Sequence, residues 1–309
     1  MIRVEVVLTE QQMAEEFIHN LRRHRLPERF FYWFPLSVRA WLELCQEGAY
    51  RNFVRSYNLI EHTARELMRQ LPSPVELVSL GCGQGDKDLK LLQAARAARR
   101  DITYHPVDAS QALLEIACHT ALEAGVDCLG LKLDLENATH WKVLARRERP
   151  RLYIVLGNTL GAFDPPAFLA RLRGLLQPED RVLLDGEIFA PESIGGYDNP
   201  TNREFAFAPL KSVGIAEADG TLRFQTHVDE RLPGLNYVGK RFEPGRDLEI
   251  NIAGERLPLQ RGEWLEMSRS YKYSREGFIG LLRETGGLEI LHEYQSEDRR
   301  FLMVLGRPV

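Results

Sequence analysis

Only four cysteines occur among the 309 residues: Cys45, Cys82, Cys118 and Cys128. No two are spaced as CxxC and no histidine cluster accompanies them, so neither a disulfide framework nor a metal site is expected. Positive charge is not in excess either. The 40 Lys and Arg stand against 44 Asp and Glu, a formal net charge of -4, which leaves no electrostatic case for nucleic-acid binding. The arginine-rich runs at 96–100 and 146–151 read as solvated helix ends. No apolar run is long enough to cross a bilayer, so no membrane association is expected. The N-terminal stretch MIRVEVVLTEQQMAEEF carries acids and no cleavage-type signal, and a cytoplasmic location is expected. Repeats, low-complexity tracts and long disordered tails are absent from the sequence. The remaining composition, 44% hydrophobic and 27% charged, is ordinary for a globular protein with material for one large domain or two modest ones.

The most informative stretch is 75–108, VELVSLGCGQGDKDLKLLQAARAARRDITYHPVD. An apolar strand runs into a glycine-rich turn, a helix follows, and a second strand ends in an aspartate. A dinucleotide fingerprint wants glycine at the first, third and sixth turn positions. Here those positions are Gly81, Gly83 and Asp86. A carboxylate at the helix start repels a pyrophosphate. It suits a cofactor without phosphate and with a positive centre, and S-adenosylmethionine (SAM) fits that description. Cys82, inside the turn, reads as a small residue in a tight space rather than as a reactive thiol.

Residues 1–70 are expected to be a helical N-terminal segment, with apolar residues at helical spacing over 11–23 and 49–70. Between them FFYWF, residues 30–34, reads as core or as a pocket wall. From residue 71 to 189 strands and helices alternate. Strands are expected at 75–80, 102–107, 128–133, 151–156 and 181–185. Helices are expected at 86–99, from Ser110 to about 124, and at 165–176. This predicts an α/β fold with a doubly wound, Rossmann-like parallel sheet. The alternation stops at 190–272, where strand-like runs at 222–230, 236–242, 248–252 and 264–271 predict an inserted mixed module that binds substrate. Residues 273–309, a helix at 274–285 and strands at 288–294 and 301–306, are expected to complete the core sheet with an antiparallel hairpin.

In an open parallel sheet, ligands sit beyond the carboxyl ends of the strands. Gly81, Gly83 and Gly85 let backbone approach a cofactor closely. Asp108 ends the second strand, where a carboxylate can accept both ribose hydroxyls. Asp134 and Leu135 end the third, where an acid can accept the adenine amine. Gly157, Asn158 and Thr159 end the fourth, next to the transferable group. Lys87 either contacts the cofactor carboxylate or is a solvated first-turn lysine.

These motifs resemble the histidine-specific SAM-dependent methyltransferase family, whose best-known member trimethylates the α-amine of histidine on the way to ergothioneine. The resemblance covers the chain from about residue 75 onward. The family turn G-S-G-x-x-x-K is matched by Gly81 to Lys87. Its L-G-S-T-I-G-N motif is matched in part by Leu156-Gly157-Asn158-Thr159-Leu160-Gly161-Ala162. Tyr197-Asp198 matches the start of its inserted domain, and Ser270-Tyr271-Lys272-Tyr273 its S-x-K-Y/F strand. The resemblance implies a class I methyltransferase fold, SAM as cofactor and a small-molecule substrate. It also implies that an Asn in the fourth-strand motif holds the amino-acid end of the substrate. That position is Ala162 here, with Asn158 as a substitute four residues earlier. The Glu that grips imidazole is replaced by Ser268, with Glu266 one pair earlier on the strand. Tyr32, Tyr50 and Tyr57 are the tyrosines available for the N-terminal substrate segment.

Methyl transfer is an in-line displacement, so the protein mainly aligns nucleophile and cofactor. On this reading Tyr197 orients the substrate, Asn158 makes a polar contact near the methyl, and Ser268 and Ser270 supply pocket hydrogen bonds. The expected activity is methyl transfer to the amine of an amino acid or related metabolite. Transfer to oxygen, carbon or sulfur, and a non-catalytic SAM-binding role, are the alternatives.

Overall fold

The computed structural model describes residues 1–309 apart from Glu47 and Ala49. Its elements in chain order begin with strand β1 (Val4–Val6) and helices α1 (Glu10–Leu21), α2 (Pro35–Gln46) and α3 (Arg51–Gln70). The alternating region follows as β2 (Val75–Leu80), α4 (Asp86–Ala97), β3 (Ile102–Asp108), α5 (Gln111–Glu123), β4 (Asp127–Cys128), β5 (Gly130–Lys132), α6 (Trp141–Leu144), β6 (Arg151–Val155), α7 (Pro165–Arg173) and β7 (Arg181–Glu187). The remainder is α8 (Pro200–Ser212), β8 (Gly220–Val228), β9 (Leu235–Pro244), β10 (Leu248–Ile252), β11 (Glu255–Leu259), β12 (Leu265–Tyr273), α9 (Arg275–Glu284), β13 (Leu288–Gln295) and β14 (Phe301–Pro308).

The main sheet has the order β1-β5-β3-β2-β6-β7-β14-β13, with β4 beside β3. Its strands run parallel except β14, which pairs antiparallel with both β7 and β13 at the closing edge. Every residue of β2 and β6 is buried, as befits central strands covered on both faces, and this is why they read as largely apolar runs. One face is covered by a core drawn from α3, α4 and α5, including Ile60, Leu91 and Leu114. The other face packs on α7 and α9 through Phe168, Leu169 and Phe278. Helix starts follow the expected signals: Ser110 caps α5 by accepting from Leu113 N at 3.4 Å, and Asp164 caps α7 from Ala167 N at 3.0 Å.

The N-terminal 1–70 stretch is not one helical unit. It opens with β1, which pairs with β5 in parallel, and its helices divide between two cores. Leu59, Ile60 and Leu67 of α3 join the sheet core, whereas Met13, Phe17, Phe30 and Leu44 join a third core with Phe205, Val238, Phe242 and Leu265 of the 190–272 region. Residue 49, where the sequence places the start of the third helix, lies outside the described residues. The strand expected at 128–133 is two short pieces broken at Leu129. Within 190–272, β9 pairs with both β8 and β12, and β10 with β11 forms a separate hairpin. Helix α8 and strand β11 had no place in the sequence reading, although Asn199-Pro200 is a helix-start signal and Asn199 does cap α8. The run 146–151 is no solvated helix end: buried Arg151 opens β6 and donates to Glu76 at 2.7 Å, and Arg147 binds buried Asp180 at 2.6 Å.

Candidate active site

A cavity of about 1280 Å³, its open mouth included, lies beyond the carboxyl ends of β2, β3 and β6. That is where the sheet order reverses between β2 and β6, the place an open α/β sheet leaves a crevice.

The residues expected at the cofactor, Gly81, Gly83, Gly85, Lys87, Asp108, Asp134, Leu135 and Gly157, all line this cavity. The turn after β2 takes left-handed backbone at Gly81, Gly83 and Gly85, with φ of 76°, 56° and 81°. A Cβ on Gly81 would stand 2.6 Å from Thr159 Cγ2, so the turn and the fourth-strand loop touch because that atom is missing. Asp108 accepts from Gly83 N at 3.0 Å and from Ser110 N at 2.8 Å. Burial raises its pKa, and those backbone donors hold it down. Asp134 is buried, accepts from Glu136 N at 2.8 Å and faces Arg29 at 3.6 Å. The Lys87 ammonium lies 4.8 Å from the Phe53 ring centre. It has no hydrogen-bond acceptor among the described residues, so it is open to a carboxylate.

The β6–β7 edge is held by Asp185. Its carboxylate accepts from Gly157 N at 2.9 Å and Asn158 N at 2.8 Å and from the Ser56 hydroxyl. Burial pushes Asp185 up to about 6. Asn158 takes left-handed backbone, φ 61°. Its amide nitrogen donates to Tyr271 O at 3.1 Å and Ser270 Oγ at 3.3 Å, and its oxygen accepts from Glu187 N at 3.0 Å. Asn158 thus lines the cavity while clamping three strand ends.

Tyr197 is buried between α3 and β12. Its hydroxyl accepts from Asn52 Nδ2 at 3.1 Å, donates to Glu187 Oε2 at 3.1 Å and lies 3.2 Å from Ser270 Oγ. Burial and then the Glu187 charge push the Tyr197 pKa well up. Fully buried Lys272 completes the group, 3.0 Å from Glu187 and 2.5 Å from Ser270 Oγ. Ser270 and Tyr197 line the cavity, and Ser268 does not. The irregular register between Glu266 and Arg269 breaks the alternation that would put residues 266, 268 and 270 on one face. Ser268 is buried with its hydroxyl unpartnered among the described residues, and Glu266 pairs with Arg269 and Arg25.

Several lining residues went unread in the sequence. Glu28 and Trp41 come from the N-terminal segment, and Phe205 and Lys240 from the later region, whereas Tyr32 and Tyr50, which the sequence offered for the substrate segment, line the cavity and Tyr57 does not. Lys240 had a signal: Val238, Lys240 and Phe242 alternate on β9, and all three are buried, so a lysine occupies an inward position between two apolar ones.

The sequence profile described as "Histidine-specific methyltransferase, SAM-dependent" matches residues 13–200. The chain belongs to that family. The match therefore starts well before residue 75, where the motif resemblance begins, and ends at the start of α8. The chain is a SAM-dependent methyltransferase, and the glycine cradle, the open Lys87 ammonium and the buried Asp108 suit that cofactor. Among relatives, the N-methyltransferase fsqC of Aspergillus fumigatus is 23% identical over 80% of this chain and 70% of its own. The 4-dimethylallyltryptophan N-methyltransferase easF of Trichophyton verrucosum is 22% identical over 88% of this chain and 86% of its own. A SAM-dependent methyltransferase structure from Clostridium acetobutylicum covers 82% of this chain and 92% of its own, at 12% identity and a TM-score of 0.45. Among the described residues, no helix is long and apolar enough to cross a membrane, and no group of His, Cys, Asp and Glu is arranged to hold a metal ion.

Proposed function

We propose that this methyltransferase acts on the amine of an amino acid or an amino-acid-derived small molecule. The observation that carries the reading is the hydrogen-bonded group Ser270–Tyr197–Glu187 in the wall of the cavity that also contains the glycine cradle. The two relatives described above, both named as N-methyltransferases, one of them for a tryptophan derivative, support it.

SAM, when bound, supplies an electrophilic methyl group on a sulfonium. Gly81, Gly83 and Gly85 would admit it against the backbone, Asp108 would accept its ribose hydroxyls, and Lys87 its carboxylate. Asp134 and Leu135 would flank the adenine, with Gly157 beside the methionyl portion. The acceptor amine must be neutral when it attacks. Ser270 Oγ, facing the cavity, accepts from Lys272 and, at 3.3 Å, from Asn158, so an amine hydrogen would take the place of the long Asn158 bond, and Tyr197 Oη beside it leads to Glu187 Oε2. This row of oxygens orients the amine and draws off its proton. Asn158 acts on the same wall by fixing Ser270 and the strand ends around it. Ser268 acts, if at all, through the packing of β12. The aromatic residues Tyr32, Trp41 and Phe205 exclude water from the acceptor.

We place the reaction in the cytoplasm, on the support of four cysteines that are all buried and unpaired. Incubation with SAM labelled in its methyl group and a panel of amino acids and their amines should place label on nitrogen, as read by product mass and fragmentation. Label on oxygen, carbon or sulfur, or tight SAM binding without label transfer to any acceptor, would sink the proposal.

A further inference from the structure

Among the described residues three lysines are almost fully buried: Lys132, Lys240 and Lys272. Two of them are answered. Lys132 binds Glu10, and Lys272 has Glu187 at 3.0 Å, Ser270 Oγ at 2.5 Å and Tyr271 O at 3.2 Å. Lys240 is different. It is 7% exposed, and its ammonium has no hydrogen-bond acceptor among the described residues. The nearest carboxylate oxygen, Glu28 Oε2, stands 3.8 Å away, and Glu28 already accepts from the Tyr32 hydroxyl at 3.0 Å. Otherwise Lys240 Nζ faces rings, 4.4 Å from the Phe31 centre and 5.9 Å from that of Phe205. An ammonium carries three donors, and burying it with one carboxylate no nearer than 3.8 Å is costly. Lys240 is also the one of the three that lines the cavity.

We propose that Lys240 seats a carboxylate of the methyl acceptor, so that the enzyme selects carboxylic acids with an apolar body over their neutral counterparts. The proposal rests on the methyl-transfer reading of this cavity. It accounts for two departures in the fourth-strand motif. The asparagine that the family resemblance assigns to the amino-acid end of the substrate is Ala162 here, and the Asn158 amide is consumed by Tyr271, Ser270 and Glu187. Of the other cations lining the cavity, Lys87 belongs to the glycine cradle, Arg29 is bound to Glu16 and Glu136, and Arg269 is bound to Glu266 and lies over the Tyr237 ring. Lys240 is thus the cation left open. Burial pushes its pKa down, with Glu28 opposing, and an incoming carboxylate would oppose that shift. The rings of Tyr32, Trp41, Phe205 and Phe224 on the same wall fit an apolar or aromatic body beside the acid.

The test separates binding from methyl transfer. The protein saturated with S-adenosylhomocysteine is titrated by calorimetry with 3-(indol-3-yl)propionate and with its primary amide, which share an apolar body and lack an amine. The acid should bind on the order of tenfold to a hundredfold more tightly than the amide. Lys240→Met should abolish that preference with unchanged affinity for S-adenosylhomocysteine, and Lys240→Arg should retain part of it. Lys240→Gln takes the place of the Met variant if the latter does not fold. Equal affinity for acid and amide, no binding of the acid, or a preference that survives loss of the lysine overturns the proposal. A lysine acting only as a base would lose turnover and leave the preference intact, which also overturns it. An acid preference that depends on Lys240, in an enzyme that labels no amine, would instead overturn the N-methylation reading alone.

Discussion

Gly81 has a task that its missing side chain performs. A Cβ there would meet Thr159 Cγ2 at 2.6 Å, and the backbone at φ 76° adds strain of about 1 kcal/mol for any other residue. Gly81→Ala should lower stability by about 1–3 kcal/mol and weaken SAM binding in calorimetry. Adding Thr159→Ser, which removes the offending methyl and keeps the hydroxyl that bonds Leu156 O, should recover the steric part only. Asp185 gives a pH signature. Its carboxyl ionises at about 6 in the folded protein and near 3.9 in the unfolded chain. Between about pH 4 and 6 the folded state therefore holds a proton that the unfolded state has lost. Stability falls as pH rises through that window, by about 3 kcal/mol in full, and the loss is complete above it. Urea midpoints measured at intervals from pH 4 to 7 should show this decline in the wild type and less of it in Asp185→Asn. At this scale the sequence was most legible where chemistry and position coincide. Gly81, Asp108 and Asp134 follow apolar strands, and a strand end fixes where a residue points. Lys240 and Glu28 gave less away, because a charge becomes informative only once its burial is known.

Among the elements, β12 and the start of α3 carry the acceptor wall between them. Asn52 reaches Tyr197 and Glu187 from α3, while Ser270 and Lys272 reach them from β12. Tyr197→Phe removes the hydroxyl that joins the two sides. Turnover should drop on the order of a hundredfold, with the dissociation constant for S-adenosylhomocysteine within about twofold of the wild type, because Tyr197 stands apart from the glycine cradle. A matching loss of cofactor affinity would show that Tyr197 supports the donor end instead. The alternation of β2 through β7 was readable because covered parallel strands are largely apolar and helices α5 and α7 carry caps. Strand β1 was not, since three residues display no periodicity. The displacement of Ser268 followed from an irregular register in β12, which an alternating pattern does not announce.

Across the whole molecule the described residues form three apolar cores, two on the faces of the sheet and one joining α1 and α2 to strands of the later 190–272 region. No local pattern reveals that last association, which is why 1–70 reads as a separate segment in the sequence. Phe30 is fully buried in it. Phe30→Ala should cost about 3–5 kcal/mol. Amide exchange should quicken first in β8, β9 and β12, with β2 and β6 still protected. Uniform acceleration across both regions would show instead that the cores melt as one.

The donor cradle rests on the sheet and the acceptor wall largely on the third core, so the two halves of the site have separate foundations. Inherited variation can accumulate on one without undermining the other. A lineage built this way can retire one metabolite and take up another through substitutions at positions such as 28, 205 and 240, while the investment in its methyl source stays intact.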